Sequence, residues 1–194
     1  MKPITVTVKG APKPKKRAPS AVRGKEGIYT RHTPEPLGQY DVILGIDQSK
    51  SGTGWAIYGM NDGAWKSGVK SFSKIKHYPE MFHAFVCWLN NLLDACKGFK
   101  TLVVFEEAHH QGGASTLIGI GMVAYIMGAC HNFGIECISI HTGTLKKAIT
   151  GSGSAEKADM VKAACQITGE AITDDNQADA VCLAEMGRRV TTPF

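Results

Sequence analysis

Residues 41–59 read DVILGIDQSKSGTGWAIYG, and this stretch decides the fold class. Val42, Ile43, Leu44 and Ile46 make a short apolar, mostly β-branched run of the kind that forms a strand buried on both faces. A tight turn then leads into Gly52-Thr53-Gly54-Trp55-Ala56-Ile57-Tyr58, which suits a neighbouring strand. The first run ends in a lone acid, Asp47. An ionised carboxylate near the middle of a sheet needs a metal, a cation or hydrogen bonds to offset its lost hydration. Taken alone, Asp47 can simply close the strand and open a turn with Ser49 and Gly52. A functional role requires other acids to converge on it.

Downstream, Asn61-Asp62-Gly63 marks a turn and 63–72 alternates weakly, so the opening reads as a three-stranded meander. Met81, Phe82, Phe85, Trp88, Leu89, Leu92 and Leu93 recur at helical spacing and predict a helix from 78 to about 97, stopped by Gly98. Residues 101–105 predict a buried fourth strand ending in Glu106-Glu107, and 108–113 a polar loop holding His109 and His110. A second helix, 114–131, is rich in small residues, which fits close packing on the sheet or contact with a second subunit. Then come a fifth strand at 135–140 and a short basic helix or turn at 142–150 with Lys146 and Lys147. Ser154 is placed to cap a helix reaching about residue 168, and Asp174-Asp175-Asn176 to cap the last one. This order predicts an α/β domain with a mixed five-stranded sheet and helices on both faces.

The charge is unevenly placed. Lys2, Lys9, Lys13, Lys15, Lys16, Arg17, Arg23, Lys25 and Arg31 are balanced only by Glu26 and Glu35, so residues 1–40 carry +7 while 41–194 sum to −2. With six of the eight prolines, 1–40 is expected to be a flexible arm ahead of a domain at 41–194. The alternating Ile4-Thr5-Val6-Thr7-Val8 run suits an added edge strand. Such an arm suits a polyanion, usually nucleic acid, although a solubilising leader carries the same charge. Cys87, Cys96, Cys130, Cys137, Cys165 and Cys182 show no C-x-x-C spacing and read as buried thiols in a reducing compartment, against a zinc site. No apolar run is expected to cross a membrane and no secretory signal is evident; an organelle transit peptide stays open as an alternative.

Asp47 and Glu106 each end a predicted strand, and adjacent strand ends bring such side chains together. Asp179, between Ala178 and Ala180, sits on a helix whose small residues allow a close approach. Singly, Glu107 reads as a loop acid, Asp174 and Asp175 as caps, and Asp179 as a helix acid paired with a lysine. Together, the acids point to a divalent-cation site, with oxygen ligands favouring Mg²⁺ or Mn²⁺. Two ions there suit phosphodiester hydrolysis.

The blocks Gly45-Ile46-Asp47 with Thr53-Gly54-Trp55, Val103-Val104-Phe105-Glu106-Glu107, KKAITGSGSAEK at 146–157 and DNQADA at 175–180 resemble, in order, those of RuvC-family Holliday-junction resolvases of the RNase H-like superfamily. The resemblance spans about residues 41–187, and 146–157 is its most specific part. It implies a homodimeric, Mg²⁺-dependent endonuclease, with Mn²⁺ substituting, that makes paired symmetric nicks in four-way DNA junctions. It also implies a cytoplasmic setting in a bacterial or phage-infected cell, with any helicase partner unspecified, and a phage-type member is one form of it. By the same resemblance Asp47 is the ligand shared by two ions, Glu106 and Asp179 are further ligands, and Lys146 and Lys157, with Lys147 alongside, meet phosphates. Lys15, Lys16 and Arg17 of the arm would add phosphate contacts.

The family's fourth acid position is Asn176 here, so either its amide oxygen coordinates or Asp175 takes the role. Gln48-Ser49 replaces the usual Pro-Gly, and His109, beside His110, stands where some members carry an aromatic wedge. Alternatives are an RNase H-like nuclease for another branched DNA or RNA, a junction-binding protein with weak catalysis, and an assembly factor docked through its tail.

Overall fold

The computed structural model describes residues 39–108 and 113–191. The arm with Lys15, Lys16 and Arg17, and the loop histidines His109 and His110, lie outside the described residues.

The opening meander is as expected: β1 (Val42–Asp47), β2 (Thr53–Gly59) and β3 (Trp65–Lys70) pair antiparallel in turn. Gly63, with φ 69°, completes the β2–β3 turn, where Asp62 accepts from the Ala64 amide at 3.0 Å. Helix α1 (Tyr78–Asp94) follows, entered at Pro79. Strand β4 (Thr101–Glu106) pairs parallel to β1, and β5 (Glu136–Ile140) parallel to β4, giving the sheet order β3-β2-β1-β4-β5. Helix α2 (Gly113–Phe133) connects β4 to β5. Three helices close the described chain: α3 (Thr142–Thr150), α4 (Lys157–Thr168) and α5 (Asp175–Thr191).

Alternation along β1 and β4 splits the core. Ile43, Leu102 and Val104 face α4 and α5, while Leu44, Ile46, Val103 and Phe105 face α1 and α2. Asp47 and Glu106 fall on the α5 face by the same period of two. Helix α5 crosses that face with almost no clearance: a Cβ on Gly45 would lie 2.1 Å from the Ala180 carbonyl oxygen, and one on Gly54 1.9 Å from that of Asn176. Small residues on both partners therefore set the approach that carries Asp179 toward the strand ends. Tyr40, just ahead of β1, is already buried, with its hydroxyl on Glu136.

Four expectations are corrected. Ser154 does not cap α4; Glu156 is its N-cap, with its amide held by Asp159 at 3.0 Å, while Ser154 pairs with Ser152. Cys87 is exposed and Cys137 and Cys165 only partly buried, because α1 turns Cys87 outward. The small residues of α2 do not all serve packing: Gly121 accommodates the Phe82 ring, but Gly119 and Gly128 have nothing within 4 Å of a notional Cβ. Finally, α2 is a helix of 21 residues, long and apolar enough to cross a membrane by length and composition, whereas the sequence reading expected no such run. Only 22% of its apolar window is buried, and Leu117, Ile120, Tyr125 and Met127 are exposed.

Candidate active site

The strand register lines up one row across the sheet. Val69 pairs with Gly54, Gly54 with Asp47, and Glu106 with Ile140. Ile46 pairs with Phe105, so Asp47 and Glu106 are the next residues of two parallel neighbours. They point to one face at the carboxyl ends of β1 and β4, the edge where open α/β sheets place their sites.

Asp47 is only 8% exposed. Burial raises its pKa well above the ordinary carboxylate value, and the charges of Glu106, Asp179 and Asp175 push the same way. After burial, the neighbouring Glu106 carboxylate is the largest contributor to this shift. Asp179, on the first turns of α5, is pushed up to about 6, first by burial and then by Glu106, with Lys146 and Lys157 pulling the other way. Its Oδ1 is buried without a hydrogen-bond partner. The structure thus brings the mutually repelling carboxyls of Asp47, Glu106 and Asp179 into one acidic neighbourhood.

Asn176 and Asp175 take different positions. The Asn176 carboxamide lies 3.2 Å from both Asp47 Oδ2 and the Gly52 carbonyl oxygen; both are acceptors, so its amide nitrogen donates to each. Asp175 instead pairs with Lys157, which holds its carboxyl below the usual range. Asn176, not Asp175, therefore contacts Asp47. Asp174 caps α5, accepting from the Gln177 amide at 3.0 Å. Lys146 and Lys147 lie on α3 and Lys157 opens α4; Lys146 and Lys157 come close enough to act on the Asp179 charge.

Three contributors were given no part in holding the acids by the sequence. Gln48 Nε2 donates to the Glu106 carbonyl oxygen at 2.7 Å, locking the two strand ends together. The Thr142 hydroxyl donates to Glu106 Oε1, at the N-terminus of α3, where the helix dipole also favours a carboxylate. The Gly52 carbonyl completes the Asn176 bridge, and its turn is tied by Thr53 Oγ1 donating to the Ser49 carbonyl at 2.7 Å. Only the register signals these: Gln48 follows Asp47, and Thr142 lies two residues beyond the Glu106 partner Ile140.

The donor set fits a divalent cation: oxygen atoms only, Asp47 buried and the others partly so, mutually repelling, with Asp179 Oδ1 lacking a partner. Among the described residues, no three His, Cys, Asp or Glu side chains are grouped closely enough to hold a metal ion.

A mixed sheet in this order, with helices on both faces, is the RNase H-like α/β fold. Within that class its likeness is to RuvC. The structure of Thermus thermophilus RuvC superposes with a TM-score of 0.61 at 19% identity, over 75% of this chain and 96% of that one. T. thermophilus RuvC in complex with a Holliday junction substrate gives 0.65, also at 19%, over 77% and 96%. In sequence, the chain is 27% identical over 149 residues to the crossover junction endodeoxyribonuclease RuvC of Rickettsia bellii, covering 74% of this chain and 94% of that protein. The R. conorii protein of that name is 28% identical over 148 residues with the same coverage. No protein-family model matches. The RuvC resemblance carried by the sequence blocks is thus met by relatives matched over nearly their whole length and by the fold.

Proposed function

We propose that this chain is a metal-dependent, structure-selective endonuclease that resolves four-way DNA junctions by paired symmetric nicks. The observation that carries the reading is the row that sets Asp47 beside Glu106, with Asp179 delivered to it by a helix packed onto Gly45 and Gly54. The RuvC relatives, which share nearly their whole length with this chain, support the substrate and the reaction.

Asp47, Glu106 and Asp179 would hold Mg²⁺, or Mn²⁺ in its place. Such ions activate a water and stabilise the leaving oxygen of an in-line displacement. The protein's part is to keep three acids together and to fix them. Gln48 and Thr142 hold Glu106 by its carbonyl and its carboxylate, and Asn176 holds Asp47 against the β1–β2 turn. Turning the Asn176 amide over presents oxygen instead of nitrogen, which keeps it available as a neutral donor. Lys146, Lys147 and Lys157 supply phosphate contacts.

The reading includes a homodimer, because a two-fold junction needs two active sites. Exposed Leu117, Ile120, Ala124 and Met127 recur at three- and four-residue spacing along α2, which has no Asp, Glu, Lys or Arg. Such a stripe can pair with its own copy as a helix seam.

The test is cleavage of a labelled four-way junction beside linear duplex, flap and RNA–DNA hybrid, with and without Mg²⁺. Paired symmetric nicks in the junction alone, abolished in Asp47→Asn while junction binding persists, are expected. Mg²⁺-dependent cutting of another substrate instead would reassign the substrate, and binding without cutting would make the chain a junction clamp.

A further inference from the structure

Lys146 and Lys157, two of the lysines assigned to DNA, act on the acids from the α5 side. We propose that the other side carries a second phosphate-binding surface, formed by Lys70, Lys74 and Lys76 on the β3–α1 connection, which grips a duplex arm of the nucleic acid. This inference rests on the nuclease reading above.

Its first support is position. Strand β3 runs parallel to β1, so its last residue, Lys70, emerges at the same end of the sheet as Asp47. Val69 lies in the row that contains Asp47, two strands away, or ~10 Å at ordinary strand spacing. Lys70 is the next residue, turned to the α1 face, whereas Lys146 and Lys157 approach from the α5 face. A duplex laid over the carboxyl end of the sheet meets both.

Its second support is rigidity. Phe72 is 2% exposed and packs edge-on against Phe85 and Trp88, at 5.7 and 6.0 Å between ring centroids. Its amide donates to the Lys50 carbonyl at 3.1 Å, stitching the loop to the turn that follows Asp47, and Ile75 folds back onto Phe72 at 3.0 Å. With Phe72 and Ile75 facing inward, Lys70, Lys74 and Lys76 are left exposed on an anchored loop. The order that would otherwise have to be imposed on binding is already in place.

Its third support is charge. No acid occurs between Asp62 and Glu80, so four lysines in that interval stand without a local counter-charge. Lysines also guard exposed edge strands against pairing, which accounts for Lys66 and Lys70 on β3. That role does not extend to Lys74 and Lys76, which lie beyond the strand.

The experiment measures junction affinity against salt for the full chain, with Mg²⁺ replaced by Ca²⁺ to prevent cutting. In the triple variant Lys70→Gln/Lys74→Gln/Lys76→Gln, the slope of log K against log salt is expected to fall by about 2 to 3, near 0.9 for each phosphate no longer neutralised. Lys74→Gln alone is expected to lower it by about 1, and Lys97→Gln, at the opposite end of the sheet, to leave it unchanged. A folded triple or single variant that keeps the wild-type slope overturns the inference. Failure of the wild type itself to bind the junction would instead sink the nuclease reading, so the two failures are separate.

Discussion

At Asp179 the conflict between burial and charge is large enough to measure. Burial and Glu106 push its carboxyl up to about 6, against 3.8 in the unfolded chain. The folded protein then binds the proton more tightly, so between about pH 4 and about pH 6 metal-free stability falls as pH rises, by about 3 kcal/mol at most. Asp47 is shifted in the same direction. Asp175 is shifted downward, and its opposite contribution is lost only as pH falls below its ordinary value of 3.8, outside this window. In chelated samples, Asp179→Asn should match wild type in urea unfolding near about pH 4 and exceed it near about pH 8, with added Mg²⁺ narrowing the gap. An unchanging difference across pH would show that Asp179 is not strained by charge. Asn176→Asp should do the reverse. It replaces a donor 3.2 Å from Asp47 with a further acid, lowering metal-free stability and enlarging the stabilisation by Mg²⁺.

At the scale of elements, what was legible depended on how many choices the physics left open. β1 and β4 were readable because an apolar run ending in an acid has few alternatives, and Ala178 and Ala180 signalled the closeness of α5 because small residues have no other reason to flank a buried acid. The cap of α4 was misplaced because Ser154 and Glu156 both offer a side-chain oxygen and only the local backbone decides between them. Gln48 and Thr142 were missed because their partner, Glu106, is distant in sequence and meets them only through strand register. Periodicity could not place α2 because a helix that is apolar all round has no preferred face. The structure leaves Leu117 63% and Ile120 45% exposed, and two such seams facing each other would remove both from water. Ile120→Lys puts a charge in each half of that seam. Sedimentation should show a dimer for wild type and a shift of at least about tenfold toward monomer for the variant, since one buried, unpaired charge per helix costs more than ~1.4 kcal/mol. A monomeric wild type, or a dimer indifferent to Ile120, would move the interface away from α2.

Over the whole molecule, charge is arranged in a way that separates holding from cutting. The domain from residue 41 is slightly acidic, while residues 1–40 carry +7. On the proposed reading, a domain of that balance would attract a duplex weakly at long range, and the arm would supply most of the net attraction while the domain supplied the geometry. Deleting residues 1–38 tests this division and leaves Tyr40, which is buried and bonded to Glu136, in place. The shortened chain should bind junction more weakly at low salt, with a slope of log K against log salt reduced by several units, about 0.9 for each phosphate the arm had neutralised. At saturating junction its Mg²⁺-dependent rate should be unchanged, because every acid and every residue that positions one lies between Asp47 and Asp179. Its dimerisation should also persist if α2 forms the seam. A lost rate at saturation would place part of the arm at the active site, and an unchanged slope would mean that its charge serves something other than DNA.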